Sequence, residues 1–152
     1  MRKLIITLTF ALLAGIAFSQ NANDYMEVQR AALKTEKKAI VADAMQLTED
    51  ESTLFWPLYN EYNEKLYLTN TKAYELILKF ANEYETLTDE QAIALWNESM
   101  KIKKEASKLE TTYFKKFQTV LSGKKTLRYF QTENKIESII NFQLSLEIPL
   151  AE

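Results

Sequence analysis

The stretch that most constrains what this chain can become is Leu47–Tyr62, LTEDESTLFWPLYNEY, which packs a helix start, an aromatic cluster and a proline into sixteen residues. Thr48, followed three positions later by Glu51, makes a capping box. The hydroxyl can accept from an amide of the first turn that has no helical partner, and the carboxylate can accept from the amide of Thr48 itself. A helix is therefore predicted to start at Glu49. Asp50 and Glu51 add negative charge at its positive end, worth a few tenths of a kcal/mol each. Pro57 falls two turns in, where it removes one backbone hydrogen bond and crowds the preceding turn, so a kink is expected there.

The same device recurs twice. In Leu87-Thr88-Asp89-Glu90-Gln91, Thr88 is the cap and Gln91 returns the bond, so a third helix should begin at Asp89. Leu121-Ser122-Gly123-Lys124-Lys125 is a degraded copy in which Ser122 caps a fourth. The caps are spaced 40 and 34 residues apart, an internal repeat of helical units.

Apolar periodicity agrees with helices throughout. From 24 to 45, Met26, Leu33 and Ile40, then Leu47, recur every seven positions, a thin seam suited to a partner helix. In the second helix, Glu49 to about Tyr84, one arc carries Leu54, Phe55, Leu58, Tyr59, Tyr62, Leu66, Ala73, Leu76, Ile77, Phe80 and Tyr84 as the expected core face. Tyr67, Tyr74 and Leu78 fall nearly opposite. Either a neighbouring helix covers them, or they form a dimer interface or a surface for another protein. On the third helix Ala92, Leu95, Ser99, Ile102, Ala106, Leu109, Tyr113, Phe117 and Val120 share an arc flanked by Trp96, Met100 and Phe114, with Lys101, Lys104, Lys108 and Lys115 on the far side. The fourth holds Leu127, Tyr129, Phe130, Ile136, Ile139, Ile140 and Phe142 with poor sidedness. Residues 143–152 read as a fraying helix or an extended tail. Two Gly and two Pro are too few for a turn-rich β protein. The expected fold is all-α, an antiparallel long-helix hairpin or bundle of about four helices.

Residues 1–19 read as a cleaved secretory signal peptide: Arg2 and Lys3, an apolar run from Leu4 to Phe18, then Ala17-Phe18-Ser19 before Gln20. That run is shorter than the roughly 20 residues that span a bilayer. A single helical domain, 20–152, is then expected in the periplasm or outside the cell, with 17 basic and 21 acidic residues. That balance does not suggest nucleic-acid binding. Charge is uneven: residues 101–128 hold nine basic and two acidic side chains, residues 20–100 seven and fifteen. The lysine stripe is read as a solvated face rather than a docking face for acidic partners or lipid headgroups.

The chain contains neither Cys nor His, which removes disulfides, the commonest metal ligand and the usual general base. Carboxylates at Glu49, Asp50 and Glu51, or at Asp89 and Glu90, sit at helix starts, where capping explains them. No phosphate-cradling glycine loop is present. Neither catalysis nor a cofactor or metal is expected.

The two Leu-Thr-x-x-Glu/Gln copies, at Leu47-Thr48-Glu51 and Leu87-Thr88-Gln91, in an exported chain of this size resemble the Spy/CpxP-type LTxxQ family of periplasmic proteins. Phe55-Trp56-Pro57-Leu58-Tyr59-Asn60-Glu61-Tyr62 resembles a Bacteroidetes group of small exported proteins, some labelled sensors of extracytoplasmic-function sigma factors. The resemblance implies a helical hairpin that can dimerise into a thin cradle, with ATP-independent chaperoning of unfolded envelope proteins or restraint of a stress-signalling membrane sensor as its activity. It implies structural roles for the Leu and Thr of each motif. The chain departs from the family in ending its first motif with Glu51 and in being acidic, where the better-known members present a basic concave surface. A third expectation is a purely structural assembly module. The protein-binding candidates read from the sequence are Tyr67, Tyr74, Leu78, Trp96, Met100 and Phe114.

Overall fold

A computed structural model describes residues 34–148 and 150–151. The expected signal peptide, Met26 and Leu33 lie outside them. Residues 37–148, with 150–151, belong to one compact unit, and residues 34–36 are helical. The described residues form four helices and no strand: α1 (residues 34–45), α2 (Glu49–Glu83), α3 (Asp89–Phe117) and α4 (Gly123–Glu147), with a 3-10 turn, Tyr84–Thr86, after α2.

Three of the four helix starts are where the cap motifs place them. The Glu51 amide donates to Thr48 Oγ1 at 3.3 Å while the Thr48 amide donates to Glu51 Oε2 at 2.9 Å. The Gln91 and Thr88 amides repeat this arrangement at 3.3 and 2.9 Å. At α4 only half of the box forms, with the Lys125 amide donating to Ser122 Oγ at 3.3 Å, because a lysine in third position has no acceptor to return. The Lys125 ammonium instead pairs with Glu51, tying the start of α4 to that of α2. Pro57 stands inside α2, which continues through it.

α2 and α3 form an antiparallel hairpin. Tyr113 Oη donates to Glu61 Oε1 at 2.5 Å, Lys116 Nζ reaches the same oxygen at 2.9 Å, and further along Lys72 pairs with Glu105 at 2.6 Å. The core fills the end of this hairpin that holds the α2 N-terminus, the base. Val41 and Met45 of α1, Phe55, Tyr59 and Tyr62 of α2, Tyr113 and Phe117 of α3, Leu121, and Tyr129 and Phe130 of α4 are buried there. Phe117 and Tyr129 meet with ring centroids 4.6 Å apart and Tyr62 and Tyr113 at 4.9 Å; such aromatic pairs contribute about 0.5–1.5 kcal/mol beyond their burial. Beyond Tyr62 only Thr69 of α2 is buried, and no α3 residue before Tyr113 is. The other half of the hairpin, the tip, is therefore open.

Several expectations are corrected here. Leu54 is 55% exposed and Ile40 is 50% exposed. On α1 the inward residues are Val41 and Met45, one helical turn apart, in line with Lys37, whose ammonium lies 2.5 Å from Glu133 Oε2. The seven-residue seam misled because it borrowed Leu47, which follows the end of α1, and because the inward line of α1 includes the charged Lys37, which an apolar pattern leaves out. Leu58, Leu66, Ala73, Leu76, Ile77 and Phe80 of α2, and Tyr84 of the 3-10 turn after it, are only half-buried. On α4, Leu127, Ile139 and Phe142 are exposed, while Tyr129 and Phe130 are buried. The tail is helical to Glu147, and Ile148 is extended.

Candidate functional site

The tip of the hairpin carries an open groove of about 280 Å³, lined by Leu76, Ile77 and Phe80 of α2, Leu87 of the connection, Ala92, Leu95, Trp96 and Ser99 of α3, and Ala151 of the tail. Its shape follows from residue size. The arcs of both helices continue past the core, but Ala92 and Ser99, seven positions apart on α3, place little bulk opposite Leu76, Ile77 and Phe80. Ser99 Oγ donates back to the Trp96 carbonyl at 2.9 Å, so the hydroxyl is turned onto its own helix and the groove stays apolar. Trp96 is 63% exposed, and Lys103 Nζ stands 5.9 Å from the centre of its ring.

The structure divides the six sequence candidates. Trp96 lines the groove, and Met100 lies one turn further along α3, exposed. Tyr67 and Leu78 are exposed on α2 but lie outside the lining, and Tyr74 is half-buried. Phe114 is half-buried: its ring meets Phe130 of α4 at 5.3 Å in a tilted arrangement and packs against the core, so the chain's own fourth helix covers part of it. Sequence reasoning missed Leu76, Ile77, Phe80 and Leu95 as a surface because it assigned their arcs to the core, and Leu87 because it read that residue only as part of the cap motif. The small residues at 92 and 99 were the available signal. A second apolar strip, Ile139, Phe142 and Leu146, is exposed on α4 at spacings of three and four residues.

At the base, Lys37, Asn63 and Glu133 form a polar cluster among the rings. Lys37 Nζ donates to Asn63 Oδ1 at 2.8 Å and pairs with Glu133, joining α1 to α2 and α4. The Tyr59 hydroxyl and Thr126 Oγ1 are buried without a hydrogen-bond partner among the described residues. Burial first, then the charge of Glu133, raises the Tyr59, Tyr62 and Tyr129 hydroxyls above the ordinary tyrosine value, so they stay protonated. Glu51 is held below the usual carboxylate range by the Lys125 ammonium and then the Thr48 amide, and Glu61 by the Tyr113 hydroxyl and then Lys116. This network fastens helices.

Among the described residues no group of three Asp or Glu is placed to hold a metal ion, and no helix is long and apolar enough to cross a membrane. No family model matches the chain, and neither the curated proteins nor the solved structures contain a match.

Proposed function

We propose that this is an exported envelope-stress protein that binds apolar segments of other proteins without catalysis, an ATP-independent chaperone of the kind the Leu-Thr-x-x-Glu/Gln resemblance implies. One observation carries the reading: a hairpin whose base is closed by a ten-residue core leaves an apolar groove of about 280 Å³ open at its tip. That volume is near the low end of the roughly 300–1,000 Å³ of small-molecule sites, and its lining offers no convergent polar groups to orient a substrate. It suits a few apolar side chains of a protein segment. An aggregation assay with an unfolding client tests this. Suppression at stoichiometric amounts, reduced in Trp96→Ala, is expected, and no suppression by the intact chain would overturn it.

The compactness of the groove also favours a second reading, a regulator that docks a single membrane sensor in sigma-factor signalling. That reading expects one saturable partner, a transcriptional change on deletion and indifference to generic unfolded chains. The α4 strip of Ile139, Phe142 and Leu146 favours the structural reading, a helical module that pairs with a second copy. Sedimentation at several concentrations separates it, since a strict monomer would count against it.

A further inference from the structure

We infer that the tip groove selects a basic apolar segment, an amphipathic stretch carrying Lys or Arg beside its apolar side chains. This rests on the protein-binding reading and adds the chemistry of the partner.

Residues 75–99, which contain all but Ala151 of the lining, hold six acidic side chains and one basic, Lys79. Not all of that charge is available to a partner. Asp89 and Glu90 occupy the first turn of α3, where the positive end of their own helix accounts for them. Glu75, Glu83, Glu85 and Glu98 remain. The ion pairs among the described residues use Glu51, Glu61, Glu105 and Glu133, all outside residues 75–99, while Glu85 accepts from the Tyr84 hydroxyl at 3.0 Å.

The backbone adds to this field. α2 ends at Glu83, whose carbonyl accepts from Thr86 Oγ1 at 3.4 Å, and its last turn contains no basic residue, although the negative end of a helix favours a cation. α3, by contrast, ends on Lys115 and Lys116. The groove end of the hairpin thus combines an apolar floor, a last turn of α2 without a basic residue and carboxylates outside the ion pairs among the described residues. The one large exposed ring in the groove lining, Trp96, already accepts a cation over its face from Lys103. A partner bringing positive charge on an apolar segment satisfies all of these together. The attraction lies at the surface, so it should weaken with salt over the roughly 8 Å screening length at physiological ionic strength.

The test uses the full chain carrying Trp56→Phe, so that Trp96 is the single fluorophore of the two tryptophans. Three synthetic peptides of equal length are titrated, each with leucine at helical spacing and with lysine, glutamine or glutamate elsewhere. The lysine peptide is expected to shift Trp96 emission saturably and to bind at least tenfold tighter than the glutamate peptide, with the gap closing at high salt. Glu83→Gln with Glu85→Gln should shrink the lysine preference while leaving the glutamine peptide unchanged. Lys103→Ala should strengthen lysine-peptide binding, and Phe80→Ala should weaken binding of every peptide, with circular dichroism unchanged. Equal binding of all three peptides overturns the charge selectivity and leaves the groove as an apolar docking site. Binding of none overturns both. Tighter binding of the glutamate peptide, or Trp96 burial that tracks self-association instead of peptide, also overturns the inference.

Discussion

Glu61 shows how one side chain links pH to fold. It accepts from Tyr113 Oη and pairs with Lys116, and both interactions favour its charged form, so its folded pKa lies below the ordinary 4.5. Glu51 is lowered in the same sense by Lys125 and Thr48. Between the ordinary value and the lower folded one, the unfolded chain binds more protons than the folded chain. The stabilisation is therefore present above about pH 4.5 and is lost as pH falls through the folded values. Acid titration of stability should steepen below that point, and Glu61→Gln should flatten the slope; an unchanged slope would remove Glu61 from the linkage. Gln46 makes a different residue-scale case. It follows α1 with φ 43°, a left-handed conformation that costs a side chain about 1 kcal/mol, and it is exposed. Gln46→Gly should raise the denaturation midpoint by the equivalent of up to about 1 kcal/mol with the denaturant slope unchanged, since the freedom glycine adds to the unfolded chain offsets part of the gain.

At the scale of elements, the starts of α2, α3 and α4 were legible because capping is local: a hydroxyl, and at α2 and α3 an acceptor three residues on, settle each start without knowledge of the fold. Thr48→Ala and Thr88→Ala should each cost about 1 kcal/mol of helix stability. Their readouts should differ. The Thr48 cap adjoins the core and the Lys125–Glu51 pair, so its loss should lower the global unfolding midpoint, whereas loss of Thr88 should mainly speed amide exchange at the tip. Equal global effects would contradict the division into base and tip. The inward face of α1 was not legible, because Lys37 is directed inward by Glu133 on α4 and Asn63 on α2, partners 96 and 26 residues distant that helical spacing does not reveal. The exposure of Ile139, Phe142 and Leu146 was equally hidden, since a helical wheel shows which residues share a face but not where the neighbouring helices end.

At the scale of the whole molecule, the buried aromatic core and the open apolar groove occupy opposite ends of one hairpin. The aromatic core at the base, with Phe55, Tyr59, Phe117 and Tyr129 almost wholly buried, should give amides there protection close to the global unfolding free energy. Amides at 73–83 and 89–100 should exchange faster, and uniform protection along α2 would contradict this. The same division explains how much of the site could be read from the sequence. Trp96 and Met100 were found because they flank the apolar arc of α3, while Leu76, Ile77, Phe80 and Leu95 were placed in a core that ends before reaching them. The central claim, that the open tip is the binding surface, is tested most directly by mapping NMR chemical-shift changes while an unfolded client is titrated into the full chain. Shifts concentrated on Leu76, Ile77, Phe80, Leu95 and Trp96, with Phe55, Phe117 and Tyr129 unmoved, are predicted. Shifts confined to Lys101, Lys104, Lys108 and Lys115, or to the α4 strip, would contradict the claim.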